Sequence, residues 1–195
     1  MLRRGVGGDG SGARALILNM IPTLETARLR LRPYRESDIV ELLPLIGARE
    51  VAATTLRIPH PYTEQHAKDF LVLLQEPGRI WLAITLRSDG SQIGGMGLTV
   101  DLQHQHAELG YWLGVAHWGK GYATEAARAM LRYGFEDLRL HRIFASHFKH
   151  NPASGRVLRK LGMRHEGCQR EHLCKWNQFV DSELYGILRQ EWEIC

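Results

Sequence analysis

At 195 residues the chain has room for one domain of ordinary size and hardly for two, and 44% hydrophobic with 24% charged residues supports a packed core and excludes wholesale disorder. Lys and Arg number 25 against 21 Asp and Glu, for a formal net charge of +4; scattered without a Lys/Arg block, this balance argues against direct nucleic-acid binding yet suits an acidic small ligand such as a phosphate. No apolar run nears the ~20 residues of a membrane span, and the stretch at 15–18 is too short for a signal-peptide core, so no membrane partner and a cytoplasmic setting are expected.

Residues 1–19 hold five glycines, at 5, 7, 8, 10 and 12, without a period. Such a stretch buries too little apolar surface to order itself, so it reads as a flexible tail, with Met20 as an alternative start and residues 20–195 as a single domain. Residues 28–32 alternate Arg and Leu, a strand that turns Leu29 and Leu31 inward and ends at Pro33. Ser37-Asp38 is positioned to cap a helix through Leu42, Leu43 and Ile46, and Thr63 to cap a second helix carrying Ala67, Phe70, Leu71 and Leu74. Residues 80–86 read as a strand, which the Ser88-Asp89-Gly90 turn returns as a hairpin partner at 92–100.

Residues 107–115 alternate again, with Ala107, Leu109, Tyr111 and Leu113 on one face and Glu108, Gly110 and Trp112 on the other. A helix follows over about 123–137, with Ala127, Met130, Leu131, Phe135 and Leu138 at helical spacing. A strand at 143–148, a helix at 152–161 opened by Pro152 and stopped by Gly162, and two strands at roughly 163–170 and 179–188 complete the chain. A hairpin meander joined to a parallel crossover gives an α+β class with a mixed sheet. Trp81, Trp112 and Trp192, at strand or core spacing, read as packing.

Cys168, Cys174 and Cys195 are too few and too late in the chain to staple a disulfide framework, which fits a reducing compartment. His165, Cys168, His172 and Cys174 cluster in sequence, but period 2 sets His165 on the opposite face of a strand and no Cys-x-x-Cys pair is present, so no metal is expected.

The most informative stretch is Gly114-Val-Ala-His-Trp-Gly-Lys-Gly-Tyr-Ala-Thr-Glu125, a strand end, a glycine turn and a helix start. Exposed backbone N–H groups at a helix N-terminus cradle anions. Gly114-x4-Gly119-Lys120 nearly matches a nucleotide-triphosphate loop, but Gly121 stands where Ser or Thr must ligate Mg²⁺. Gly119-Lys-Gly121-Tyr-Ala-Thr124 lacks the third glycine of a dinucleotide fingerprint, and no βαβ repeat opens the chain.

Trp118-Gly-Lys-Gly-Tyr-Ala123 fits a third pattern: it resembles the Q/R-x-x-G-x-G/A pyrophosphate loop of GNAT acyltransferases, with Trp in place of the leading Gln or Arg, as in the RimJ/RimL-like branch that acetylates protein N-termini, including those of ribosomal proteins. The resemblance extends in order along residues 22–192. It takes in Thr23-Leu-Glu-Thr-Ala-Arg-Leu-Arg-Leu-Arg-Pro33, Ala107-Glu-Leu-Gly-Tyr-Trp-Leu113, Asn151-Pro-Ala-Ser154 with Val157-Leu-Arg-Lys-Leu-Gly-Met163, and the closing Phe179-x-Asp181.

The resemblance implies the GNAT fold, a mixed, mostly antiparallel twisted sheet flanked by about four helices, and acetyl transfer from acetyl-CoA to an amine, with no metal. It implies pantetheine contacts from the backbone around Leu113 and Val115, pyrophosphate contacts from Gly119, Gly121, Tyr122, Ala123 and Thr124, and added charge from Lys120. By the same likeness Glu108 is the general base, with His147 and His150 as weaker candidates. Asn151 would hold cofactor or an ordered water, and Ser154 would protonate the departing thiolate. A protein or peptide N-terminus is the expected acceptor, and a homodimer is a further expectation. Two rivals stand beside this reading. One is a polyamine or aminoglycoside acetyltransferase, with Glu36, Glu41, Glu64 and Asp69 supplying an acidic groove; the other is a non-catalytic acyl-CoA sensor.

Overall fold

The computed structural model describes residues 21–192; the tail expected over 1–19 and Cys195 lie outside them. Within that span the strands are β1 (Leu24–Glu25), β2 (Leu29–Pro33), β3 (Arg79–Leu86), β4 (Gln92–Asp101), β5 (His106–Leu113), β6 (Arg142–Phe148), β7 (Arg164–Lys175) and β8 (Gln178–Leu188). The helices are α1 (Ile39–Ile46), α2 (Arg49–Ala53), α3 (Glu64–Leu73), α4 (Tyr122–Arg132), α5 (Pro152–Lys160) and α6 (Arg189–Trp192). All strands join one sheet in the order β1-β2-β3-β4-β5-β6-β8-β7, and every neighbouring pair is antiparallel except β5 with β6. The expected mixed, mostly antiparallel sheet is therefore present, with the short α2 and α6 added to the four expected helices.

Period-2 alternation divides the apolar residues between two faces. On one, Leu29, Leu31, Leu82, Met96, Leu98 and Leu109 pack against Ala126, Ala127, Met130 and Leu131 of α4 and Leu158 of α5. On the other, Trp112 joins Ile39, Leu42 and Ile46 of α1, Val51 of α2 and Ala67 of α3. The facing expected for β5 holds: Ala107, Leu109 and Leu113 belong to the first cluster, Tyr111 packs against it, and Trp112 belongs to the second.

Some local expectations differ. Asp38 does not cap α1. It sits in the 3₁₀ turn Glu36–Asp38, and its buried carboxylate takes both arms of Arg32 (2.7 and 2.8 Å) and the Arg35 N–H (2.8 Å). A charged partner and a backbone donor satisfy a buried carboxylate more fully than a lone helix N–H would. Thr63 does cap α3, accepting from the His66 N–H at 3.3 Å. The helix expected over 123–137 ends at Arg132 and continues as a π turn, Tyr133–Asp137, which keeps Phe135 and Leu138 in the core. β7 extends past 170 to Lys175, with register shifts between His165 and Gly167 and between Gln169 and Leu173 that break the regular alternation. There His165 meets Glu183, and among the described residues no group of three or more His, Cys, Asp or Glu could hold a metal ion.

The feature that positions the site is the parallel pair. β5 and β6 match only at His106/Arg142, Ala107/Ile143 and Glu108/Phe144, while β5 goes on pairing with β4 to Leu113 and β6 with β8 to Phe148. Beyond Glu108 the two strands have different partners and a gap opens between them.

Candidate active site

A cavity of about 900 Å³ occupies that gap and reaches both faces of the sheet. On the α4 side it is lined by Gly119, Gly121, Tyr122, Ala123 and Thr124, with Asn151, Ser154 and Val157 of α5; on the α1–α3 side by Tyr62, Phe70, Trp81 and Glu108 among others.

The α4 side is made largely of backbone. Gly119 and Gly121 adopt φ of +73° and +82°, a left-handed geometry that glycine enters at little cost. The space above Gly119 is empty, and only an Arg28 nitrogen lies near Gly121, at 3.4 Å from where a Cβ would be. As the N-cap of α4, Gly121 brings no side chain to bond the first-turn N–H groups. The helix start therefore keeps its donors and the positive end of its dipole for an external anion, the arrangement a pyrophosphate requires. The Trp118 indole N–H donates to the Leu113 carbonyl (2.8 Å), so this tryptophan closes the turn against the end of β5 while lining the cavity. His117 lines the cavity beside it, its pKa lowered by burial and by Lys120.

Arg28 braces this loop from the first hairpin. Its side chain pairs with Glu125 (2.7 Å), donates to the Lys120 carbonyl (3.0 Å) and lies 4.6 Å over the Tyr122 ring. Glu125 also accepts the Thr26 hydroxyl (2.7 Å) and the Arg28 N–H (2.8 Å). Burial pushes its carboxyl pKa up, but these hydrogen bonds and the Arg28 charge outweigh it and hold the group below the ordinary carboxylate value.

The other predicted residues separate. Glu108 lines the cavity at the point where β5 and β6 part, its side chain unpaired among the described residues. Ser154 faces across the gap: its hydroxyl and that of Tyr111 lie 2.7 Å apart. Burial pushes the Tyr111 phenol up to about 12, against the opposing effect of that hydrogen bond. Asn151 caps α5 by accepting from the Ser154 N–H (3.3 Å) and lines the cavity. Leu113 lines it too, but Val115 and Lys120 do not; both are exposed. Of the two histidines, His147 is at the cavity with Nδ1 on the Phe148 carbonyl (2.8 Å), whereas His150 reaches the Ala53 carbonyl (3.1 Å) outside it.

Sequence reasoning gave no site role to Tyr111, Trp81 or Arg28. Tyr111 carries the one signal available, since a phenol in an apolar row needs a partner for its hydroxyl when buried. The packing reading of Trp81 is half the picture: the indole packs on the sheet and also lines the cavity.

An uncapped helix start and the unpaired Glu108 thus face one cavity from opposite sides of a parted sheet. Residues 28–164 match the Acetyltransferase (GNAT) domain. The chain belongs to the GNAT acetyltransferase family and is an N-acetyltransferase; the family uses acetyl-CoA. It is 33% identical to the uncharacterized N-acetyltransferase YoaA of Bacillus subtilis over 87% of this chain and 98% of that protein. It is 36% identical over 43% of each chain to the [ribosomal protein uS5]-alanine N-acetyltransferase of Escherichia coli. A GNAT-family acetyltransferase from Bacillus anthracis superposes with a TM-score of 0.78 at 27% identity, covering 87% of this chain and 99% of that one.

Proposed function

We propose that this enzyme acetylates the α-amine of a protein or peptide N-terminus. The observation that carries the reading is the cavity through the sheet, with the uncapped start of α4 at one end and Glu108 at the other. The backbone of residues 119–124 would hold the pyrophosphate of acetyl-CoA, with Leu113, Asn151 and the α5 face along its arm. When bound, that cosubstrate supplies an activated acetyl thioester.

Glu108 takes a proton from the acceptor ammonium, directly or through water, because only the neutral amine has the lone pair for attack. The partly buried carboxylate has no competing cation, so it is free for this proton. On the other side of the gap Tyr111 stays protonated at neutral pH, 2.7 Å from the Ser154 hydroxyl; with the phenol as donor in that pair, the serine hydroxyl proton is left for the departing sulfur.

The acceptor side weighs against a polycation. Of Glu36, Glu41, Glu64 and Asp69, only Asp69 lines the cavity; Glu41 accepts the Gln92 N–H (3.0 Å) and Glu64 pairs with Lys68 (2.7 Å). The partial likeness to an enzyme named for ribosomal-protein alanine acetylation supports an N-terminal acceptor. Thiol release from acetyl-CoA with a peptide panel, spermidine and an aminoglycoside tests the reading, with mass spectrometry locating the acetyl group. Turnover confined to α-amines supports it. Turnover confined to spermidine or the aminoglycoside overturns it, and so does CoA binding without any turnover.

A further inference from the structure

We infer that Trp81 forms a shelf for an apolar side chain on the carbon next to the acceptor amine, and so sets which amines are used; this rests on the amine-acceptor reading above. Trp81, Gly97 and Gly110 stand in one cross-strand row, paired Trp81 with Gly97 and Gly97 with Gly110. The glycines let the indole lie flat on the sheet. A Cβ at Gly97 would meet its five-membered ring at 2.4 Å, and one at Gly110 would meet the six-membered ring at 2.9 Å. Such distances cannot be occupied, so any larger residue at either position lifts the ring into the cavity.

The ring's outer surface lines the cavity, and Phe70 of α3 stands edge-on to it at 6.1 Å with an interplanar angle of 88°. Glu108 is two residues before Gly110 on the same face of β5, which places it about 7 Å along the strand. An amine held at Glu108 therefore carries its first substituent over the indole. The nearest charges have partners of their own: Arg79, in the neighbouring row with Thr99 and Glu108, pairs with Glu76 (3.3 Å), and Asp69, which also lines the cavity, accepts from the Gln65 side chain (2.8 Å). A substituent on the shelf lies beside the contacting Trp81–Phe70 pair, where an aliphatic or aromatic group gains and a charged one pays desolvation. A hydrophobic pocket discriminates by about tenfold or somewhat more on such terms.

The test measures kcat/KM for peptides identical except for a first residue of Leu, Phe, Ala, Asp or Lys, with wild type, Trp81→Phe, Trp81→Ala and Gly110→Ala. Wild type is expected to favour Leu and Phe over Asp and Lys by about tenfold or more. Trp81→Ala should flatten that preference to within about threefold through acceptor KM, with the KM for acetyl-CoA unchanged, and Trp81→Phe should keep most of it. Gly110→Ala should penalise Leu and Phe more than Ala. Melting curves check folding, and Gly110→Ala carries the test if Trp81→Ala does not fold, an unchanged Leu and Phe preference in it overturning the shelf. Equal use of all peptides by wild type, or an intact preference in Trp81→Ala, overturns the shelf alone. Failure of wild type to acetylate any α-amine overturns the acceptor reading and the shelf with it.

Discussion

The two ends of the cavity are built on different principles. At the α4 end the groups left without partners at the helix start are backbone amides from one continuous stretch, and the side chains around them, Trp118 and Arg28, hold the loop in shape. At the opposite end the surface consists of side chains from α1–α3, the segment 54–59, β3 and β5. Part of that wall is fixed from afar, since Lys175 Nζ donates to the carbonyls of Leu56 (3.2 Å) and Ile58 (2.7 Å). A backbone site recognises a group common to every turnover and tolerates little change at its glycines. A side-chain site can be altered residue by residue, so the proposed reading assigns acceptor specificity to that end.

Mutations should separate the two ends, beginning with the largest effect. Gly121→Glu puts a carboxylate, in a strained left-handed geometry, on the helix start that should meet a pyrophosphate. It is expected to abolish measurable acetyl-CoA binding by calorimetry in a protein that still melts cooperatively; unchanged affinity would remove the loop from the site. Glu108→Gln, at the other end, should leave acetyl-CoA binding intact and lower kcat/KM for an amine by about 10²–10⁴ at pH 7. The deficit should shrink as pH rises, because the amine then loses its proton unaided.

Between the ends, Ser154→Ala should reduce kcat by about 10² and Tyr111→Phe by about tenfold, since the serine hydroxyl survives in the latter. Equal kcat for Tyr111→Phe and wild type in single-turnover measurements would limit the phenol to packing. The smallest effect is expected from Glu125→Gln, which keeps shape and loses the charged bonds to Arg28 and Thr26. A loss of about 1 kcal/mol corresponds to a fall of about 2–4 °C in Tm at pH 7 for a chain of this size. The folded carboxyl titrates below its unfolded value, so its contribution is complete above the unfolded pKa and disappears as pH falls through the folded one. The gap between wild type and variant should therefore close on acidification. A gap that persists at low pH would assign the loss to packing.

The same contrast explains what the sequence made legible. Alternation in 107–113 assigned the faces of β5, and the run from 113 to 124 contains nearly the whole α4 end, because strand period and helix-start chemistry are local. The contacts that escaped are long-range. Tyr111 and Ser154 are 43 positions apart, and Arg28 and Glu125 are 97. No periodicity in either partner encodes such a meeting; it follows from which strands the fold sets side by side. Asp38 illustrates the converse, a locally persuasive cap signal overridden by a half-buried arginine six residues away.

The brevity of the β5–β6 pairing, three residue pairs, bears on the order of events in turnover. Because the strands part after Glu108, the cavity is lined by residues from both faces of the sheet. For a transfer run across that opening, both substrates are present before reaction, and initial-rate plots at fixed levels of either should intersect, without the parallel lines of a covalent acyl-enzyme route.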